Sequence, residues 1–189
     1  MPGRPIRWLL FVCLPVLALA SVDKPVEHDD WTKDYDRLFR KYTKHYFGPH
    51  VDWHWFKAQG IAESGLNPEA KSAVGAVGIM QVMPATFEEI RRDNPHLVNI
   101  RDPRWNIAAA IYYDRQMYRK WKKREVPTGE RLFFAFASYN AGLGNVLRAY
   151  RRAATQHGEI KAWGQVAPHA PNETRRYVHR IDRLMSERR

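Results

Sequence analysis

Cysteine is nearly absent from the chain: Cys13 is the only one among 189 residues, and it lies in an apolar N-terminal segment. This scarcity excludes a framework of disulfide bridges and a zinc site built on a cysteine pair. A Gly-rich phosphate-binding loop of the P-loop type is also missing, which leaves nucleotide chemistry without support. The chain must therefore be stabilised by a hydrophobic core, and its length suits one domain.

Long hydrophobic runs are missing as well. The run from Trp8 to Ala20 is too short to span a membrane comfortably. It follows two arginines and ends in Ala18-Leu19-Ala20 before Ser21, which is the pattern of a secretory signal peptide with its cleavage site. We therefore interpret residues 1–20 as a signal peptide and expect a periplasmic or secreted protein. A retained N-terminal membrane anchor is the alternative.

Acidic residues are outnumbered by basic ones, 20 against 31, which gives a formal net charge of +11. Loss of Arg4 and Arg7 with the predicted signal peptide leaves +9. Such a surface is either an ordinary solvated helical face or a surface that attracts a polyanion. Peptidoglycan stem peptides and anionic membranes are reachable for an exported protein, so we expect no nucleic-acid partner.

No stretch alternates between apolar and polar residues for long enough to predict a strand. Apolar residues instead recur at helical spacing, so we predict an all-α, mostly helical fold. Residues 21–47 are predicted to form a polar leader and an N-terminal helix, and residues 48–189 a single main domain. The predicted helices begin near Trp31, Val51, Pro84, Asp102-Pro103, Thr128, Leu143 and Asn172, with Thr128 and Asn172 as caps.

A lone glutamate, Glu63, ends one apolar segment and is followed by Ser64, Gly65 and a loop rich in small residues. Glycines in such a loop let the backbone approach a ligand closely. The loop continues into Gly78-Ile79-Met80-Gln81 and then into a helix that opens at Pro84. Taken alone, Glu63 would be interpreted as an exposed carboxylate at a helix end.

Two later blocks change that interpretation: Ser138-Tyr139-Asn140-Ala141-Gly142 and Glu173-Thr174-Arg175-Arg176-Tyr177-Val178. Together with Glu63-Ser64 and the Gly78 block, they resemble in order and spacing the lytic transglycosylases with a lysozyme-like catalytic domain. These are enzymes of the soluble-lytic-transglycosylase type, which cleave bacterial peptidoglycan. The resemblance covers about residues 51–184, and its departures are small, with Ile79 in place of Leu and Ser138 in place of Ala.

The resemblance implies a lysozyme-like fold with Glu63 as the sole catalytic acid and base. It also implies that the N-acetyl group of the substrate attacks the anomeric carbon, so that a second carboxylate is unnecessary. Glu63 would then take the proton of the 6-hydroxyl, which closes a 1,6-anhydro ring on N-acetylmuramic acid. Glu69, six residues further on, has no evident reason to face Glu63. No metal and no cofactor take part in this mechanism.

The resemblance further implies that the Gly78 block lines the sugar sites and that Tyr177 points to Glu63. By periodicity alone Tyr139 and Tyr177 would be core rings, and Ser64 and Gln81 would be ordinary polar surface residues. Their motif positions favour the functional interpretation. We expect the substrate site to be lined by Ser64, Gly78, Met80, Gln81, Tyr139, Asn140 and Tyr177.

A catalytic acid of this kind works best with a raised pKa, which partial burial produces. Aromatic and sulfur-containing side chains close to Glu63 in sequence supply apolar material for that burial, namely Trp53, Trp55, Phe56, Met80 and Met83.

Two other functions stay open on the sequence. One is a hydrolase similar to goose-type lysozyme, which shares the glutamate but delivers water. The other is a weakly active protein that binds glycan or assists an assembly. In each case we expect a monomer whose partner is the peptidoglycan strand.

A zinc site is the one rival constellation. His50 and His54 lie at i and i+4, the spacing of a zinc-binding helix, but Val51 occupies the position of a metalloprotease general base. No further ligand is recognisable, so we expect activity to survive chelation.

Signal-peptide cleavage should leave a soluble protein that begins near Ser21, because Ala18-Leu19-Ala20 fits the small-x-small pattern of the cleavage site. Intact-mass measurement of the exported protein checks this. A mass that still includes residues 4–20 would establish the membrane anchor instead.

Overall fold

The computed structural model describes residues 31–188. The predicted signal peptide and residues 21–30 of the predicted leader lie outside the described residues. Between residues 31 and 188 no strand forms, and the isolated bridges Lys71–Val77 and Val77–Val82 are the only β-type pairings there, which confirms the all-α prediction. The helices are α1 Asp36–Phe47, α2 His54–Ser64, α3 Pro84–Asp93, α4 Pro103–Lys122, α5 Arg131–Ala141, α6 Leu143–His157, α7 Trp163–Val166 and α8 Asn172–Glu187, with a 3₁₀ turn at Ala167–His169.

The helix α4 runs through the hydrophobic core. Its segment 106–111 is buried, and the small side chains of Ala108, Ala109 and Ala110 let neighbouring helices approach closely. It packs against α5, α1 and α3, while α8 packs against α2 and α5. This arrangement brings the last helix beside the end of α2. Among the described residues, no helix is long and apolar enough to cross a membrane.

The first helix begins at Asp36, five residues later than the apolar spacing predicts. Tyr35 has a left-handed backbone conformation with φ 61°, which interrupts helical geometry. The buried Lys57 holds this segment: its Nζ donates to the backbone carbonyls of Thr32 and Asp34 and pairs with the Asp36 carboxylate. A buried ammonium group needs such partners, so the segment bends around it instead of continuing the helix.

Both predicted side-chain caps are wrong. Helix α5 begins at Arg131, not at Thr128, and Glu130 precedes it without capping it. The Glu130 carboxylate accepts a hydrogen bond from the backbone N–H of Trp163 at 2.8 Å, at the start of α7, a short helix that the apolar spacing does not predict. Asn172 is the first helical residue of α8 and not its cap. At the start of α5, the Glu130 carboxylate is thus bonded to Trp163, more than thirty residues away, and does not cap the helix that follows it.

The loop between α2 and α3 is organised by Asn106 of α4. This buried side chain accepts a hydrogen bond from the N–H of Met80 at 2.8 Å and donates to the carbonyls of Val77 at 2.9 Å and Ile100 at 3.0 Å. Gly78 has φ 76°, and a Cβ atom there would lie 2.8 Å from Asn106 Nδ2. Glycine at position 78 is thus required both by the backbone conformation and by the close approach of Asn106.

Gly78→Ala should lower the free energy of unfolding by about 2 kcal/mol or more, because the added methyl group collides with Asn106 and the residue keeps a strained positive φ. Chemical denaturation followed by circular dichroism measures the loss. Gly144→Ala is the matched control, since Gly144 lies in α6 with no atom within 4 Å of an added Cβ. This control should be neutral or slightly stabilising. Equal stability of the two variants would contradict the role given to Gly78.

Candidate active site

Glu63 lies in the last turn of α2, and the residues after it explain why the helix ends there. Gly65 adopts the left-handed conformation with φ 63°, and its N–H bonds to the carbonyl of Ile61 at 2.9 Å. This is a C-terminal cap of the kind that glycine favours. The Glu63 side chain is consequently presented at a helix end. The residue as a whole is partly exposed, whereas its carboxyl group is enclosed by protein atoms.

The helix α8 places a tyrosine hydroxyl on this carboxyl group. Tyr177 Oη donates a hydrogen bond to Glu63 Oε1 at 2.6 Å. Glu173 lies four residues before Tyr177 and Arg180 three residues after it, so the helical period puts all three on one face of α8. The charges of Glu173 and Arg180 both act on Glu63. The site therefore combines one carboxyl group, one hydroxyl donor and two opposite charges.

Burial raises the pKa of Glu63 to about 8, and the negative charge of Glu173 adds to the increase. The hydrogen bond from Tyr177 and the guanidinium of Arg180 act in the opposite direction, since both stabilise the charged carboxylate. Burial and the neighbouring Glu63 raise the pKa of Tyr177 well above its ordinary value, so its hydroxyl stays a donor. Glu63 thus holds a proton at neutral pH, and Tyr177 and Arg180 stabilise the carboxylate that remains once that proton has left.

Ser64 and Gln81 hold the loop next to Glu63. Ser64 Oγ donates to the carbonyl of Ile79 at 2.8 Å. Gln81 Nε2 donates to the carbonyls of Gly78 at 2.9 Å and Ala70 at 3.3 Å, and Gln81 has a positive φ of 46°. Both side chains are partly exposed and attach the loop to the end of α2 and to itself.

Tyr139 and Met80 meet on the inner side of the same loop. Tyr139 Oη donates to the backbone carbonyl of Met80 at 2.7 Å, and its ring contacts Tyr113 edge-to-face with centroids 5.6 Å apart. The Met80 side chain is fully buried, and its sulfur would lie 3.0 Å from a Cβ atom on Gly60. Met80 is therefore an interior support of the loop, and Gly60 leaves the space that it fills.

Asn140 joins α5 to the first turn of α8. Thr174 Oγ1, fully buried, donates to Asn140 Oδ1 at 2.8 Å. This bond orients the amide and occupies its oxygen. Asn140 is partly exposed.

Of the residues predicted to line the site, Tyr177 contacts Glu63 directly, and the others arrange the loop and the helices around it. The apolar residues expected near Glu63 differ in how far they are buried. Phe56 and Met80 are fully buried, Trp53 and Trp55 are partly exposed, and Met83 is 39% exposed.

Sequence reasoning missed three buried polar residues, Gln59, Asn106 and Asp114. Gln59 and Asn106 lie on helices among apolar neighbours, and this interruption of the apolar pattern is the signal that could have found them. Asp114 precedes Arg115 and Gln116, so its local pattern carries no such signal. Arg180 was missed as well, although its spacing of three from Tyr177 places it on the same helix face.

The rival residues lie in other surroundings. Glu69 is exposed, its backbone N–H bonds to Asn67 Oδ1 at 2.9 Å, and its charge is not among those that act on Glu63. His54 Nδ1 lies 2.5 Å from Asp52 Oδ1, and its Nε2 lies 3.0 Å from a guanidinium nitrogen of Arg188. Across residues 31–188 no group of three His, Cys, Asp or Glu side chains is placed to hold a metal ion.

Known proteins similar to this chain are lytic transglycosylases. Residues 38–161 match the family described as Transglycosylase SLT domain. The chain is 31% identical over 134 residues to a membrane-bound lytic murein transglycosylase F of Vibrio vulnificus, covering 71% of this chain and 23% of that protein. A protein of the same name from Shewanella halifaxensis is 31% identical over 138 residues, covering 73% of this chain and 27% of that protein. The chain thus spans about a quarter of the length of these relatives.

The solved 70 kDa soluble lytic transglycosylase SLT70 of Escherichia coli has a similar fold, with a TM-score of 0.61 and 28% identity. That likeness covers 78% of this chain and 22% of SLT70, and it confirms the predicted lysozyme-like, all-α fold. The family match includes Glu63, the loop after it and Asn140, but it ends before α8 and Tyr177. Since the match covers well over half of its residues, the chain belongs to the transglycosylase SLT domain family.

Proposed function

We propose that this protein is a peptidoglycan lytic transglycosylase that cleaves the β-1,4 bond between N-acetylmuramic acid and N-acetylglucosamine without water and leaves 1,6-anhydro ends. The observation that carries the proposal is Glu63 itself, a partly exposed residue whose enclosed carboxyl group has a pKa raised to about 8 and a tyrosine hydroxyl 2.6 Å away. Glycosidic cleavage requires an acid that still holds its proton at neutral pH.

In the first step, Glu63 delivers its proton to the glycosidic oxygen as the bond to the anomeric carbon breaks. Positive charge develops on that carbon, and the N-acetyl oxygen of the same sugar attacks it to form a cyclic intermediate. Asn140 supports this step, because Thr174 fixes its amide oxygen and leaves Nδ2 to hold the acetyl group.

In the second step, the Glu63 carboxylate takes the proton of the sugar 6-hydroxyl, and the oxygen closes the 1,6-anhydro ring as the acetyl group is released. Tyr177 and Arg180 make this ionised state of Glu63 accessible, since both lower the pKa of Glu63 against the effect of burial. The carboxyl group is thereby a proton donor before the reaction and a base after the first transfer.

Of the remaining predicted residues, the partly exposed Ser64 and Gln81 are proposed to line the sugar sites, and the buried Gly78 and Met80 to support the loop that forms them. The same proposal places the mature protein in the periplasm or outside the cell, as a monomer whose partner is the glycan strand. Retention of the N-terminal segment as a membrane anchor stays the alternative.

A hydrolase with two carboxylates is the second candidate, and one observation favours considering it. Glu173 is partly exposed and close enough for its charge to raise the pKa of Glu63. A water-activating base in a lysozyme-like hydrolase would have to be this residue, since Asp114 is fully buried and the charge of the exposed Glu69 is not among those that act on Glu63. Mass analysis of the digest distinguishes the classes: anhydro ends, reducing ends, or no product for a binding protein.

Glu63→Gln should abolish nearly all release of anhydro-muropeptides while the protein stays folded. The amide keeps the size of the side chain but has no proton to transfer, and acid–base catalysis alone accounts for about 10²–10⁴-fold in rate. Since Glu63 serves in both steps, the loss should reach the upper end of that range.

Glu69→Gln is the matched control, an exposed loop carboxylate that should keep most of the activity. Both variants are compared at equal concentration, with circular dichroism confirming that they fold. A Glu63→Gln protein with more than about a tenth of the activity would contradict the assignment. Reducing-end products that disappear in Glu173→Gln would establish the hydrolase.

The rate of cleavage should fall as the pH rises through about 8, because Glu63 then loses the proton that it must deliver. Tyr177→Phe removes a hydrogen bond that stabilises the carboxylate, so the pKa of Glu63 rises further. The alkaline limb of the pH–rate profile should therefore move to higher pH, and kcat below the limb should fall because the base of the second step is less stable.

Tyr150→Phe removes a hydroxyl from a ring that packs on Trp121 and should leave the limb in place. A limb that moves to lower pH in Tyr177→Phe would show that the hydroxyl does not stabilise the carboxylate.

A further inference from the structure

A second carboxyl group is enclosed in the protein close to Glu63. Asp114 of α4 and Gln59 of α2 are both completely buried. Gln59 Nε2 donates to Asp114 Oδ1 at 3.5 Å, whereas Gln59 Oε1 and Asp114 Oδ2 have no hydrogen-bond partner among the described residues. Neither residue has a part in the mechanism derived above.

The two atoms without partners, Gln59 Oε1 and Asp114 Oδ2, can satisfy each other if Asp114 is protonated. If Asp114 were ionised, Oδ2 and Oε1 would both be acceptors and could not bond to each other. A proton on Oδ2 makes it a donor, and the acid and the amide can then exchange two hydrogen bonds in a reciprocal pair. A buried carboxylate without such a partner would be very costly, so neutralisation is the favourable solution. Burial and the charge of Glu63 raise the pKa of Asp114 well above its ordinary range.

The position of the pair connects it to the active site. Gln59 lies four residues before Glu63 on α2, so both side chains lie on the same side of that helix, one turn apart. The titratable groups that interact with Asp114 are Glu63 from α2, Tyr139 from α5 and Tyr177 from α8. On its other side α4 meets α1, where Tyr46 contacts Tyr112.

We propose that Asp114 is a positioning residue for Glu63: held as a neutral acid in a reciprocal pair with Gln59, it fixes the turn of α2 that carries Glu63 and keeps a second negative charge out of the interior beside it. The proposal rests on the proposed function for its catalytic consequence. Glu63 must become a carboxylate in the second step, and an ionised Asp114 nearby would oppose that change. With Asp114 neutral, Glu63 is the carboxyl group that ionises.

The protonation of Asp114 is tested on the full chain by following the ¹³C signals of its aspartate carboxyl groups against pH. The Asp114 signal is identified by its loss in Asp114→Asn. It should show no step near pH 4, where exposed aspartates titrate, and should still be that of the neutral acid at pH 7. In Glu63→Gln its step should move to lower pH, because the neighbouring negative charge is gone.

A signal that titrates near pH 4 and is absent from Asp114→Asn would overturn the proposal. So would a step that stays in place when Glu63 is replaced. This titration needs no substrate, so its result is independent of whether the protein makes anhydro products.

The positioning role is tested by the kinetics of two variants. Gln59→Leu/Asp114→Leu replaces both partners by apolar groups of similar size, which leaves no unpaired polar atom and can be nearly neutral for folding. Without the pair, kcat should fall roughly 10–100-fold, the effect of a small displacement of a catalytic group, with KM little changed. Asp114→Asn, which can still pair with Gln59, should recover most of the lost kcat. A double variant with the kcat of the wild type, or an Asp114→Asn variant as slow as the double variant, would refute the role.

Discussion

The hydrogen bond from Tyr177 to Glu63 joins residues 114 positions apart, and the arrangement of the site depends on it. For the hydroxyl to reach the carboxyl group, α8 must pack against both α2 and α5. The burial of Val178, Ile181 and Leu184 provides the apolar contact that holds α8 there. Once α8 is in place, Glu173 and Arg180 lie on the same helix face as Tyr177, and their charges act on the Glu63 carboxyl group.

These contacts act on the pKa of Glu63 in opposite directions, which suits the two tasks that we propose for it. Burial and Glu173 favour the protonated acid, while Tyr177 and Arg180 favour the carboxylate. Burial is the larger effect, so the resting state is the acid, yet the ionised state is not left without partners. An exposed glutamate would be ionised at neutral pH, and a buried one without donors would hold its proton too firmly to return as a base.

Much of the fold is predictable from local patterns. Helical spacing of apolar residues located α2, α4 and α6 to within a few residues, Pro84 marked the start of α3, and Gly65 explains the end of α2 at Ser64. The errors occur where distant residues compete: Lys57 binds the segment before α1, and the Glu130 carboxylate serves α7 instead of its own helix. Buried Asn106 and Asp114 were missed for the same reason, because their partners lie on other elements of the fold.

The sequence by itself determined the family resemblance, the helical class and the identity of Glu63 as the carboxyl group at a helix end. Those properties depend on residue types and on spacings within a helix turn or a loop, which the chain carries locally. Only the tertiary structure decided the pKa of Glu63, the charges of Glu173 and Arg180 that act on it and the hydrogen bond from Gln59 to Asp114. A pKa depends on how far water is excluded and on which charges lie nearby, and both are set by segments that meet only when the chain has folded.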